Sequence, residues 1–386
     1  MKSKVTKYFV FLILIVNTVG GLYYLSLTNR HKAIVKTYLA HKLGIVDNTW
    51  HITSTDHSIS LITPTMVIDN IYKSMEGPQV IKSFQLNSEK SNLVWLTSFE
   101  TKAIDDDESK AISNDFICHT NIDFYDGEHY ARWNLNNRIG LRYPRLTTMT
   151  TGIESYKFPK GFGFPVFNNE NLFLSTQTLN HNVVGKTFSV KHQINIGLEK
   201  HHKSIRPLMP KTVMIVLPYD TENPFEGPTE ENPNMCLPIE TKNHSYTYND
   251  GITYSGHWVV FPGEATYKAN ITEQLQLLED TTLHLIASHL HPFSESLSFR
   301  DKTIDSTLFT SKAKNYKNKI GLKEVTYFSS ETGIKLYTDH DYELVLKTNN
   351  TSKINQDMMA SMFMFLYDKE MDERLKTYNP QTDEAL

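Results

Sequence analysis

Two histidines one residue apart, His289 and His291, end a stretch of alternating apolar residues and are the strongest candidates for metal chemistry in this sequence. On a β-strand, residues i and i+2 share a face and their Cα atoms lie roughly 6.6 Å apart, so both imidazoles can reach one ion. A methionine-dense stretch, 358–364, follows later in the chain. Because a thioether ligand favours copper over zinc, these residue types predict a copper site of His289, His291 and Met358. The same three residues are expected to carry any catalysis.

The same residues have a structural alternative. A His-x-His pair in a strand is often a hydrogen-bonded core or surface pair. In the methionine-dense stretch, Met358, Met362 and Met364 would share one face while Met359 and Phe363 occupy the other, so the strand is expected to be buried on both sides. Most of these methionines then fill the core, and at most one contacts a metal.

Motifs on either side of these residues strengthen the copper interpretation. The turn Phe261-Pro262-Gly263-Glu264 precedes the strand that ends in His289 and His291, and the segment 348–359 follows it. In this order, over residues 254–368, they resemble the second domain of the copper type II, ascorbate-dependent monooxygenases, the family of peptidylglycine alpha-hydroxylating monooxygenase and dopamine beta-monooxygenase. A register that places His291 in the first histidine position and Phe293 in the second remains open.

The resemblance implies both a fold and an activity. The fold would be all-β, with two jelly-roll β-sandwiches in tandem. Copper would be held by His289, His291 and Met358, and the reaction would be O2-dependent hydroxylation of an organic substrate, with ascorbate or another one-electron donor. His257, shortly before the Pro-Gly turn, is either a partner of the metal site or an ordinary buried, hydrogen-bonded histidine. The substrate, a small molecule or a peptide, is not readable from the sequence.

The N-terminal half resembles the family only faintly, in the region where the family binds a second, electron-transferring copper. Cys118 stands in place of one histidine of a His-His pair, beside His119, and His181 is the imidazole nearest to the position of the third ligand. One interpretation is a rebuilt metal site of Cys118, His119 and His181. The other is that the two histidines form hydrogen bonds between strands or loops. Without a second copper, the family's route for the second electron is missing.

The chain has two cysteines, Cys118 and Cys236, and in an exported protein they can form one disulfide. In the chain-entropy model, closing so long a loop stabilises the fold by roughly 4 to 5 kcal/mol. Cys118 cannot be a disulfide partner and a metal ligand at once. Two unpaired buried thiols are the alternative.

The N-terminus predicts export. Lysines at positions 2, 4 and 7 precede a largely apolar run, 8–27, which is long enough for a membrane helix, although its most apolar part has only the length of a signal peptide. We expect an N-terminal membrane anchor with the bulk of the protein periplasmic or extracellular; secretion after signal cleavage is the alternative. The net charge of −4, with no basic cluster, excludes a nucleic-acid-binding surface.

Hydrophobic periodicity divides the chain into six parts. A period near 3.6 in Ile34, Tyr38 and Leu39 indicates a short amphipathic helix, and a period near two indicates strands from residue 53 onwards. The expected parts are a signal anchor or signal peptide (1–28), a stalk helix (29–52), an N-terminal β-sandwich (53–206), a linker and long loop (207–252), a C-terminal β-sandwich with the copper site (253–368) and a polar tail (369–386).

Three functions follow from these observations. The leading one is a copper-dependent monooxygenase-like enzyme. The second is an exported, non-catalytic copper-binding protein that has lost the electron-transfer copper. The third is a metal-free double β-sandwich that binds or hydrolyses a peptide or glycan, because the same double-sandwich fold also occurs in a peptide-N-glycanase. Fold alone cannot choose among them.

Overall fold

The computed structural model describes residues 2–87, 91–108, 110–141, 143–218, 245–247 and 253–379. Strands account for 49% of the structure and helices for 17%, which confirms a mainly β protein. The helices are α1 (Lys2–Ser26), α2 (Asn29–Lys42), α3 (Asp126–Arg132), α4 (Thr272–Leu275) and α5 (Lys369–Thr377). Two 3-10 turns span Asn114–Phe116 and Asn136–Arg138.

Eleven strands are described in the first half of the protein. They are β1 (His51–Ser54), β2 (Ser58–Ile62), β3 (Met66–Ile68), β4 (Gln79–Phe84), β5 (Leu93–Ile104), β6 (Ile117–Phe124), β7 (Arg145–Thr150), β8 (Ser155–Lys157), β9 (Phe162–Phe167), β10 (Leu172–Thr178) and β11 (Phe188–Lys200).

Fourteen further strands are described in the second half. They are β12 (Arg206–Met214), β13 (Leu217–Pro218), β14 (Ser245–Thr247), β15 (Thr253–Ser255), β16 (Trp258–Val260), β17 (Gly263–Asn270), β18 (Thr281–Leu290), β19 (Ser294–Asp301), β20 (Ser306–Asn315), β21 (Leu322–Val325), β22 (Phe328–Leu336), β23 (Tyr342–Asn350), β24 (Gln356–Met358) and β25 (Ala360–Tyr367).

Each half is a sandwich with the strand order of a jelly roll. In the first half, β2, β11, β5 and β9 lie side by side, and β4, β10, β6 and β7 form the opposing sheet. Side chains meet between the two sheets, where the hydroxyl of Thr101 on β5 lies 3.0 Å from that of Thr120 on β6. The second half repeats the arrangement, with β12, β25, β18 and β22 in one sheet and β17, β23, β19 and β20 in the other. In both halves, strands distant in sequence become neighbours, as jelly-roll connections require.

The two halves share one sheet, which the sequence did not indicate. Strand β12 begins at the last residue of the predicted N-terminal sandwich (53–206) and otherwise lies in the predicted linker (207–252). It nevertheless pairs in parallel with β9 through Arg206 and Pro207 and antiparallel with β25. It carries Pro207 and Pro210, residues that are uncommon inside sheets because they lack an N–H donor. In the rest of the predicted linker, residues 219–244 and 248–252 lie outside the described residues.

One continuous core extends through both sandwiches. Phe365 on β25 of the second sandwich is fully buried, and its ring lies 4.7 Å from that of Phe158 and 6.3 Å from that of Tyr156 in the first sandwich. Because an aromatic side chain contributes a large buried area, this contact joins the two sandwiches energetically as well as by sheet pairing.

Residues 369–379 differ from the predicted polar tail (369–386), of which 380–386 lie outside the described residues. Residues Lys369–Thr377 form α5, which buries Met371 and Leu375, four residues apart on one helical face. Asp368 accepts hydrogen bonds from Arg138 and caps the helix at Met371 N. Two apolar residues in a charged stretch are a weak periodic signal, which is why the helix was missed.

Helix α1 confirms a helical N-terminus, but among the described residues no helix combines the length and apolar character that crossing a bilayer requires. Helix α2 lies against the first sandwich rather than standing free as a stalk. Its buried residues are Ala33 and Thr37, and Lys36 pairs with Asp69 at 2.6 Å, while Ile34 and Tyr38 of the predicted apolar face are exposed.

A buried histidine between the sheets of the first sandwich makes stability depend on pH. His192 is fully buried, its Nδ1 lies 2.7 Å from Thr176 Oγ1, and burial lowers its pKa to about 4. The unfolded chain takes up a proton below its normal pKa near 6.5 while the folded protein does not. His192 therefore makes its full contribution to the free energy of unfolding above pH 6.5. As the pH falls towards 4, roughly 3 kcal/mol of this stability is lost. Urea unfolding at pH 7 and pH 4 measures this loss. The free energy of unfolding should decrease less between these pH values in His192→Gln than in the wild type, and equal decreases in both proteins would contradict this.

Candidate metal centre

The predicted histidine pair lies at the end of a buried central strand. Strand β18 runs between β22 and β25, with His289 opposite Ser361, and ends at Leu290, so His291 is the first residue beyond it. Both side chains are buried, and their ring centroids lie 5.2 Å apart with the rings perpendicular. Alternation along the strand therefore brings the two imidazoles together, as the sequence predicted.

The structure adds His257 and Asp357 to His291. Strand β16 pairs with β24 through Val259 and Asp357, which places the residue just before β16, His257, beside the turn that follows β18. The ring centroids of His257 and His291 lie 5.7 Å apart, and Nδ1 of His291 lies 3.0 Å from Oδ2 of Asp357. One ligand atom from each of His257, His291 and Asp357 lies within 4.8 Å of the other two. We call these three residues the His291 cluster.

Charges in the cluster favour an ionised carboxylate. Burial raises the pKa of the Asp357 carboxyl, but the imidazoles of His291, His257 and His181 more than offset this and hold the pKa well below its usual value. Asp357 is therefore an anion at neutral pH. A carboxylate beside two imidazoles is a donor set that transition metals accept.

Met358 follows Asp357 and is fully buried. Successive side chains of a strand point to opposite faces, and Asp357 faces His291. The Met358 sulfur instead accepts a hydrogen bond from Ser294 Oγ at 3.4 Å, three residues after His291. The methionine thus lies beside the His291 turn, while its role as a metal ligand stays a prediction. Phe293, the alternative ligand position, lies in this turn with φ of 72°.

Three residues were predicted as ligands of a second metal site: Cys118, His119 and His181. Cys118 and His119 are adjacent on β6 and alternate in direction, so they cannot readily face one ion. Within the described ranges, the three do not form a cluster of converging ligand atoms. Burial raises the pKa of the Cys118 thiol to about 11, so it is protonated at neutral pH. Cys236, the predicted disulfide partner, lies outside the described residues.

His181 and Cys118 both lie near the His291 cluster. Burial lowers the pKa of His181 to about 4, although the nearby Asp357 carboxylate opposes this effect. The Cys118 sulfur lies 3.8 Å from Ser74 Oγ, which in turn lies 3.4 Å from His291 Nε2. The first sandwich therefore contributes polar groups to a site whose candidate ligands come from the second.

A second group of converging side chains has a structural explanation. Asp47, His51 and Glu108 meet near β1, but the Lys191 ammonium lies 2.9 Å from Asp47 and 2.8 Å from Glu108. The hydrogen bond from Lys191 lowers the pKa of Asp47 to about 2. Because a buried lysine already supplies the positive charge, these carboxylates form an ion-pair network that joins β11 to the segments around Asp47 and Glu108.

Comparisons with known proteins do not identify a family. No family model matches the sequence, and no curated protein matches it. The major capsid protein P2 of bacteriophage PM2 is 8% identical, with a TM-score of 0.29 over 78% of this chain and 97% of that one. The STIV MCP is 10% identical, with a TM-score of 0.30 over 81% and 98%, and PNGF-II is 8% identical, with a TM-score of 0.31 over 78% and 61%. Function has to be argued from the site itself.

Proposed function

We propose that this protein binds one copper ion at the His291 cluster. The observation that carries the proposal is the convergence of His257, His291 and Asp357, whose ligand atoms lie within 4.8 Å of one another. These residues belong to three segments far apart in sequence, so only the fold brings them together. His291 is also one of the copper ligands predicted from the sequence.

The spacing of the donor atoms is compatible with a small metal ion. Two ligands that each lie roughly 2.0 to 2.2 Å from one ion, at about a right angle, are themselves about 3 Å apart. His291 Nδ1 and Asp357 Oδ2 are 3.0 Å apart. His257, with a ligand atom within 4.8 Å of one on each of the other two residues, would complete the set.

Donor chemistry favours copper among the divalent metals. At a site of imidazole nitrogen and carboxylate oxygen, affinity rises along the first-row series to a maximum at copper and falls at zinc. The resemblance of residues 254–368 to copper monooxygenases supports the same metal. Copper bound here would supply one-electron redox chemistry and a Lewis acid, while the protein fixes the ligands.

A second ligand set is favoured by a separate observation. The rings of His289 and His291 lie 5.2 Å apart, as expected for two ligands of one ion. Met358 would complete this set if its side chain turned away from Ser294. His291 is common to both sets, so it is the residue on which the proposed copper site depends most.

We further propose that the copper centre serves O2-dependent hydroxylation of an organic substrate, with ascorbate or another one-electron donor. The alternative is a non-catalytic copper-binding protein. Burial of His257 and His291, at 3% and 4% exposure, favours the alternative because a substrate needs access to the metal. Export, with an N-terminal membrane anchor or a cleaved signal, is proposed from the lysines and the apolar run at the start of the chain.

Metal loading of the purified full chain tests the proposal. After incubation with copper, zinc or iron(II) and dialysis, we expect one copper per chain, bound more tightly than zinc. Oxygen uptake with ascorbate then separates the enzyme from the binder. Binding of zinc but not copper would overturn the metal assignment, and binding of no metal would leave the metal-free peptide- or glycan-binding interpretation.

A further inference from the structure

A serine of the first sandwich contacts the central histidine of the proposed copper site. Ser74, in the segment between β3 and β4, places its Oγ 3.4 Å from Nε2 of His291, 217 positions along the chain. Ser74 is 7% exposed and His291 4% exposed, so the contact is shielded from water. This is a polar contact between the two sandwiches at the candidate ligand itself.

The two nitrogens of His291 have different partners. Nδ1 faces Asp357, at 3.0 Å from Oδ2 and 3.3 Å from the backbone carbonyl, whereas Nε2 faces Ser74. A metal on the Asp357 side requires Nδ1 without a proton, which leaves the proton on Nε2. A metal-binding imidazole commonly donates this other N–H to an oxygen that fixes the tautomer and the ring orientation. The Ser74 hydroxyl can accept a hydrogen bond from that N–H, and it can donate one to Nε2 when Nδ1 carries the proton instead.

The segment that carries Ser74 is held firmly in place. Met75 has φ of 65°, a left-handed conformation that is uncommon for a residue with a side chain, and its N–H donates to the Cys118 sulfur at 3.5 Å. Gly77 packs so closely on β10 that a Cβ there would lie 2.2 Å from the carbonyl oxygen of Thr178. The Glu76 carboxylate accepts from Lys73 N at 2.9 Å. These contacts restrict the movement of the Ser74 hydroxyl relative to β6 and β10.

We propose that Ser74 is a positioning residue that orients His291 for copper from the opposite sandwich. The inference rests on the proposed copper function. It assigns to the first sandwich a part in the metal site that does not require a second copper. Cys118 then contacts the Ser74 hydroxyl rather than the metal, so it packs against the positioning residue and does not act as a ligand.

A matched pair of variants tests this role. Ser74→Thr keeps the hydroxyl. Ser74→Val introduces a side chain of nearly the same shape as threonine but without the hydroxyl. Copper affinity, measured by chelator competition, should fall about tenfold to a hundredfold in Ser74→Val, the loss typical for an outer partner of a ligand, and much less in Ser74→Thr. Ser74→Ala should resemble Ser74→Val. Ser288→Ala, which removes a buried hydroxyl from the strand that carries His289, should bind copper like the wild type.

The tautomer of His291 gives a readout that does not depend on metal affinity. In copper-free protein, side-chain 15N resonances should report a single hydrogen-bonded Nε2 environment in the wild type and in Ser74→Thr, and an altered one in Ser74→Val. Equal copper affinity and equal resonances in Ser74→Thr and Ser74→Val would overturn the role of Ser74 while leaving the copper site intact. A wild-type protein that binds no copper would instead remove the proposed function and this inference together.

Discussion

Replacement of His291 by alanine should reduce bound copper from one per chain to almost none. His291 belongs both to the cluster found in the structure and to the ligand set predicted from the sequence, so neither set survives its loss. The decrease in copper affinity should exceed the tenfold to hundredfold expected for loss of an outer partner. Metal analysis after dialysis measures it directly. His202→Ala, which removes a half-exposed histidine paired with Glu199, is a control that should retain full copper binding.

Substitutions of the other candidate ligands distinguish the two proposed ligand sets. Asp357→Asn and His257→Gln should weaken copper binding strongly, because each removes a donor that converges on His291. His289→Gln and Met358→Leu should have smaller effects. His289 is not part of the His291 cluster, and Met358 contacts Ser294 on the opposite face of its strand from Asp357. The reverse ranking, with Met358→Leu as damaging as His291→Ala, would favour the set predicted from the sequence.

Removal of the Phe365 ring should destabilise the whole protein rather than one sandwich. Phe365 is fully buried and contacts Phe158 and Tyr156 across the junction of the two sandwiches. Phe365→Ala should lower the free energy of unfolding by about 3 to 5 kcal/mol. Because the two sandwiches share a sheet and a core, the protein should still unfold in one transition. Denaturant unfolding followed by fluorescence and circular dichroism measures both properties.

A surface substitution provides the comparison for Phe365→Ala. Ile81 is 66% exposed on β4, and Ile81→Ala should change stability by less than about 0.5 kcal/mol. Two separate unfolding transitions, with only that of the second sandwich shifted by Phe365→Ala, would contradict this prediction. The two halves would then fold independently in spite of their shared sheet and core.

Local features of the fold were predictable because they depend on neighbours in sequence. Alternation of apolar and polar residues indicated the strands, and the double-sided apolar character of the methionine-dense stretch correctly predicted that β25 is buried on both faces. The pairing of His289 with His291 followed from the period of a strand. Strand β12 and helix α5 were missed because two prolines interrupt the first and only two apolar residues mark the second.

The candidate site was only half predictable for a physical reason. His257 and Asp357 meet His291 because β16 pairs with β24, a long-range pairing that no local pattern reveals. The only local hints were the position of His257 before a Pro-Gly turn and of Asp357 directly before Met358. The contact between Ser74 and His291 could not be predicted from the sequence either, because it depends on how the two sandwiches pack together.

The ligands of the metal can be observed most directly by X-ray absorption spectroscopy of the copper-loaded full chain. Coordination by His257, His291 and Asp357 predicts a first shell of nitrogen and oxygen alone, with the outer-shell signature of two imidazoles. That signature should lose one imidazole in His257→Gln. A sulfur neighbour in the first shell, or a spectrum that His257→Gln and Asp357→Asn leave unchanged, would contradict the proposed centre.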